Sequence, residues 1–185
     1  PDSQYFGASG YLGGLTPEQS EMLQDLSKWF LEENIDLSDL CLNALSLDLV
    51  LLRYIRANKF VLKDAKEHIL RNIEWRKTND VKGLIKMTPS EILGNDILEL
   101  QKLAPHWQQN FDKFGRPIVY KQYGSAFDAT KIKNMCGMDA LKRYHVWEME
   151  VAMRLCYEQS KKTGYICETI SAIVDVGGVQ MWQFG

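Results

Sequence analysis

Apolar side chains recur along this chain at two periods, every three to four residues in its first half and every second residue at two places in its second half. Thr16, Pro17 and Gln19 supply a cap, a first-turn proline and a capping-box partner. Met22, Leu26, Trp29 and Phe30 follow at helical spacing, which predicts an amphipathic helix ending near Asn34. Residues 1–14 contain four glycines and no apolar period, and read as a flexible lead-in. A second helix is predicted from Ser46 to Ala57, burying Leu49, Leu52 and Ile55 or their neighbours. A third is predicted from about Lys63 to Lys77, with Ala65, Ile69 and Ile73 on one stripe. Thr88, Pro89, Ser90 and Glu91 repeat the capping signal before a short helix that stops near Gly94.

Beyond that point the period changes. Pro117 to Tyr123, PIVYKQY, is introduced by the turn residues Asp112 to Arg116 and is rich in β-branched and aromatic residues, as strands are. Met138 to Lys162 reads as a long helix ended by Gly164. Thr169 to Val176, TISAIVDV, reads as a strand stopped by Gly177 and Gly178. Strand, helix, strand is a βαβ unit, whose right-handed crossover lays the two strands parallel. In the second strand Ile170, Ala172 and Val174 share one face, and Ser171, Ile173 and Asp175 the other. A near-continuous apolar run suits a strand covered on both faces, either by helices alone or by helix on one side and ligand on the other. The fold class is therefore α/β: a helical unit over residues 15–95, then the beginning of an α/β domain over 96–185. Two strands make a poor sheet, so the natural domain is expected to continue past Gly185.

Composition narrows the class. In 185 residues, 45% are hydrophobic and 25% charged, ordinary values for a folded protein. The net charge of −2 conceals an asymmetry. Leu51 to Lys77 carries eight cationic against three acidic side chains, a net +5, whereas the first fifty-two residues carry a net −8. A basic band beside apolar residues suits an anionic phosphate surface, and equally a solvated helix face. With a pI of about 6.0 and no recognition motif, nucleic acid is not an expected partner. Four cysteines, at 41, 136, 156 and 167, form no CxxC pair, so reduced, mostly buried thiols in a cytosolic setting are expected rather than a disulfide framework or a metal site. No apolar run reaches the ~20 residues a bilayer-spanning helix needs, so any membrane contact is expected to be peripheral.

No catalytic constellation stands out. His68, His106 and His145 lie in three separate segments. His145, three residues before Glu148, reads as one partner of a local salt bridge. Asp175 followed by Gly177 and Gly178 sits where open sheets bind ligands, but no phosphate-binding glycine fingerprint follows either strand, and a tight turn is the preferred account. No cofactor and no enzymatic activity are expected.

Three separated segments, LLRYIRANKF with AKEHILRNIEWRK, FDKFGRPIVYKQYG, and ETISAIVDVGG, resemble in sequence and order the CRAL-TRIO lipid-transfer family of the secretory phosphatidylinositol transfer type. The likeness runs from about Leu15 to Gly178. It implies a helical bracket followed by an α/β lipid-binding domain, with the sheet as the floor of an apolar pocket. The activity it implies is exchange of a single lipid between membranes, or its presentation to a modifying enzyme, in the cytoplasm with transient membrane contact. By this resemblance Arg56 and Lys59 meet a lipid phosphate, while Val119, Tyr123, Ile170, Ala172 and Val174 line the cavity with Gln108 near its polar end. In phosphatidylinositol-binding members the position of Asn58 is usually basic. Members that bind phosphatidylcholine carry hydroxyl-bearing residues at the positions of Ile170 and Ala172, and tyrosines at those of Gln108 and Val119. The loss of these polar contacts disfavours a choline head group. Tyr123, further along the same strand face, is expected to refill part of that space. Phosphatidylinositol, or another hydrophobic ligand such as a sterol or retinoid, is the expected partner. The alternative is a regulatory interaction module that keeps the fold without moving lipid; a nucleotide-dependent enzyme is the weakest reading.

Overall fold

In a computed structural model of the chain, residues 7–124 and 127–180 are described. Among the described residues eight helices and three strands follow one another: α1 (Pro17–Glu32), α2 (Leu37–Leu40), α3 (Leu47–Ala57), α4 (Leu62–Thr78), α5 (Val81–Leu84), α6 (Pro89–Leu93), α7 (Ile97–Leu103), β1 (His106–Phe111), β2 (Pro117–Gln122), α8 (Ala129–Thr163) and β3 (Ser171–Asp175). The described residues up to Lys82, together with Gly164–Ile166, form one compact unit. Those from Gly83, apart from these three, form a second.

The helices of the first unit start where side chains can satisfy their open N–H groups. The Thr16 hydroxyl accepts from the Gln19 amide at 3.2 Å, and the Gln19 side chain accepts from the Thr16 amide at 3.1 Å. Ser46 caps α3 by accepting from Leu49 N. Leu23, Leu26 and Phe30 of α1, Val50, Leu51, Leu52 and Ile55 of α3, and Ala65, Ile69 and Ile73 of α4 then share one core. Leu49 is half-exposed, so the buried stripe of α3 runs through its neighbours. Lys59 and Phe60, both at positive φ, make the sharp break between α3 and α4. The lead-in is not loose over its described part, from Gly7 onward. Turns close between Tyr11 N and Ala8 O and between Gly14 N and Tyr11 O, and Leu12 and Leu15 pack against the core.

The second unit places α6, α7 and α8 around Leu84, Ile92, Leu93, Leu100, Ile132 and Tyr144. Thr88 and Glu91 form the expected capping box, and Gly94 ends α6 at φ 64°. The long helix begins at Ala129 rather than Met138, with Asp128 accepting from Lys131 N, and Gly137 interrupts it at φ 76°. The expected start therefore marks the second of two helical runs.

Among the described residues the sheet has three strands rather than two, in the order β1-β2-β3. β2 and β3 pair in parallel, as the βαβ pattern predicts, and β1 pairs antiparallel with β2. The additional strand, HWQQNF, carries no β-branched residue and bulges near Asn110, whose φ is 64°. Its partner is supplied by the turn at Asp112. That carboxylate accepts from Phe114 N, Arg116 N and Arg116 Nε, and also from the Ser171 hydroxyl at 2.8 Å, so one side chain ties the β1-β2 turn to β3. Burial works to raise the Asp112 pKa, but the hydrogen bonds from Arg116, Ser171 and Phe114 outweigh it and hold the group at about 2.

Candidate functional site

Strand register fixes which of the expected lining residues share a face. Gln108 of β1 pairs with Val119 of β2, and Val119 with Ala172 of β3, so these three form one row across the sheet. Two residues along, His106, Lys121 and Val174 form a second row on the same face. Val119 is buried at 4% exposure, Gln108 is half-buried, and Ala172 is exposed. Val174 stands at 47% exposure and Ile173, on the opposite face, at 51%. Ile170 lies just before β3 and is half-buried. Tyr123 follows β2; its amide donates to Asp175 O at 2.8 Å, and its ring meets that of Phe127 edge-on at 5.1 Å.

The other face carries the Trp107 and Tyr120 rings, stacked at 5.2 Å and 10°. Ile173 is the register partner of Tyr120.

One stripe of α8 addresses the first face. Tyr144, Ala152, Cys156 and Ser160 are buried at every fourth or eighth position, and Glu148 lies in the same row. The Ser160 hydroxyl accepts from Cys167 N at 2.8 Å, and the Cys156 thiol donates to Thr169 O, which anchors the end of the helix to the chain entering β3. At the other end the Tyr144 hydroxyl lies 2.7 Å from His106 Nε2, while His106 Nδ1 lies 2.7 Å from Ala104 O. A carbonyl only accepts, so Nδ1 carries a proton, and in the neutral ring Nε2 accepts from Tyr144. Burial first, and the Glu148 carboxylate second, push the Tyr144 hydroxyl well above its ordinary pKa, so it stays a donor.

Glu148 is the hub of this end. Its oxygens lie 3.3 Å from His145 Nδ1, 3.6 Å from Lys121 Nζ and 3.6 Å from His106 Nε2. The expected local pair with His145 is present, but the same carboxylate also reaches two strand residues. Sequence reasoning did not find Lys121, His106 and Tyr144. The signals were the period-2 relation of Lys121 to Val119 and the i, i+4 relation of Glu148 to Tyr144 and Ala152.

Arg56 and Lys59 belong to the first unit. Arg56 Nη1 donates to Gly10 O at 3.5 Å, and its guanidinium lies over the Tyr11 ring at 3.9 Å. Lys59 is exposed. Asn58 closes α3, its amide donating to Tyr54 O at 2.8 Å and facing His68 Nδ1 at 3.1 Å. At the strand end, Asp175 Oδ1 accepts from Gly177 N, and a Cβ on Gly124 would come within 2.5 Å of Gly177 O, so the glycines serve a close passage of two backbone turns. Among the described residues no group of His, Cys, Asp and Glu is arranged to hold a metal, and no helix is long and apolar enough to cross a membrane.

No family model matches the chain. It is 28% identical over 180 residues to the "SEC14 cytosolic factor" of Yarrowia lipolytica, covering 95% of this chain and 33% of that protein. It is 27% identical over 175 residues to a CRAL-TRIO domain-containing protein of Saccharomyces cerevisiae, covering 93% and 54%. A phosphatidylinositol/phosphatidylcholine transfer protein of Arabidopsis thaliana is 30% identical over 139 residues, covering 73% and 24%. The chain thus spans between about a quarter and about half the length of these relatives.

Proposed function

From the premise that this chain belongs to the CRAL-TRIO lipid-transfer family, we propose that the protein binds one lipid and transfers it between membranes or presents it, without covalent chemistry. Residues 15–95 supply the helical part and 96–185 the beginning of the lipid-binding part. Gln108, Val119, Ala172 and Val174, with Ile170 and Tyr123 beside them, contact the lipid. Lys59 meets a phosphate of the lipid or the membrane, and Arg56 contributes when Tyr11 moves aside. The protein works in the cytoplasm and touches the membrane transiently. Phosphatidylinositol is the first candidate ligand, since the Arabidopsis relative is named a phosphatidylinositol/phosphatidylcholine transfer protein and the polar contacts expected for a choline head group are missing here.

The observation that carries this reading is the row Gln108, Val119, Ala172, in register across three strands, with apolar Ala172 and Val174 open on β3. Each CH₂ removed from water contributes about 0.8 kcal/mol, so a hydrocarbon chain against such a face gains in proportion to its length. The test is mass spectrometry of lipid carried by the purified full-length protein, combined with a vesicle-to-vesicle transfer assay. A stoichiometric lipid is expected, and Ala172→Trp is expected to lower transfer about fivefold to a hundredfold, since overpacking of this kind costs ~1–3 kcal/mol. Lipid-free protein overturns the reading, and unchanged transfer in Ala172→Trp overturns the assigned face.

A further inference from the structure

Lys121 and Glu148 place opposite charges on the same sheet face as the proposed lipid contacts, and both are largely withdrawn from water. Their side chains are 18% and 16% exposed. The ammonium stands 3.6 Å from the carboxylate, beyond hydrogen-bonding distance, and makes no hydrogen bond to any described residue. Its three N–H groups therefore keep their donor capacity. Glu148 still has lone pairs to spare: His145 Nδ1 meets Oε2 at 3.3 Å, and the nearby His106 Nε2 is already occupied by the Tyr144 hydroxyl. Sheltered charges with unmade hydrogen bonds are costly, and a ligand group that fits between them recovers that cost.

The chemistry of that group follows from the pair. A carboxylate or phosphate seated there meets Lys121 but is repelled by Glu148. A quaternary ammonium meets Glu148 but is repelled by Lys121, and it has no hydrogen to donate. A hydroxyl accepts from the ammonium, donates to the carboxylate and leaves the balanced pair undisturbed. The register neighbour Val174, and Ala172 and Val119 in the adjacent row, offer apolar surface for the rest of the molecule. We propose that Lys121 and Glu148 together select lipids that present an uncharged hydroxyl at this point. This rests on the lipid-binding reading above and names the ligand class for that site. An inositol ring and a sterol alcohol share the required group.

The test uses full-length protein and donor vesicles of phosphatidylethanolamine carrying a trace of cholesterol, phosphatidylinositol, phosphatidylcholine or palmitate, with lipid retained on the protein counted after gel filtration. Cholesterol, phosphatidylinositol or both are expected to be retained at least about tenfold better than the other two, because a site built to bind a hydroxyl discriminates strongly against its absence. Which of the two is retained tells an alcohol from a sugar head group. Glu148→Gln leaves Lys121 uncompensated, so palmitate uptake should rise several-fold relative to the hydroxyl-bearing lipid; a pair that merely fastens α8 to β2 would not shift selectivity. Lys121→Met should abolish the preference. Equal retention of all four lipids by the unaltered protein overturns the proposal, as does unchanged selectivity in both variants. The measurement on unaltered protein decides if a variant fails to fold. Retention of no lipid at all removes the lipid-carrier reading with it, whereas retention without preference removes only this inference.

Discussion

The two compact units treat their apolar residues in opposite ways. In the first, Leu26, Leu51, Leu52, Ile55 and Ile69 are fully buried among three helices close in sequence. In the second, β3 leaves Ile173 and Val174 in contact with solvent, one on each face of a strand that a parallel sheet ordinarily covers on both. A helical stripe finds its partners within a few dozen residues. A sheet strand depends on layers supplied from elsewhere, and the proposed lipid contact would be one such layer.

Three substitutions test that contrast, from the largest effect downward. Phe30→Ala should destabilise the first unit by ~3–5 kcal/mol, read as a lowered urea midpoint of the helical circular-dichroism signal, since the ring is fully buried. A loss under about 1 kcal/mol would mean that this core repacks freely. Asp112→Asn should cost up to about 2 kcal/mol in the second unit, through the turn and its tie to Ser171. The sign of the pH effect follows from the depressed pKa. The stabilisation is fully present above the ordinary carboxylate value of 3.8 and is lost as pH falls through about 2. The unaltered protein should therefore lose stability between those values by more than the variant does, and parallel acid curves would exclude this role. Ile173→Ser should change stability by no more than about 0.5 kcal/mol, as exposed positions do. A large loss would show that the face is covered in solution.

The helical half was legible because its signals are local. Thr16 with Gln19, Thr88 with Glu91, and the 3.6-residue stripes of α1, α3 and α4 each lie within a few turns of chain. β1 was not legible, because HWQQNF becomes a strand through its pairing with β2 rather than through its composition. The start of α8 was missed for a related reason. The expected helix began at Met138, yet helix lies on both sides of Gly137. At the site, alternation along TISAIVDV placed Ala172 and Val174 on one face, and the register bears this grouping out. The polar end was hidden, since His106 and Glu148 are separated by most of β1, β2 and α8 and meet only in the folded chain. The pairing of His145 with Glu148 was visible, but its simplicity concealed the further reach of the carboxylate to Lys121.

The aromatic ring of Tyr11 resting on the Arg56 guanidinium has a practical outcome for anyone handling this protein. Starting an expression clone at Leu15 would remove that ring and the Gly10 carbonyl from Arg56, altering the electric potential of a helix face that lies many residues downstream in the chain. Vesicle affinities obtained with and without the opening residues would then describe two different surfaces, even with every other atom in place.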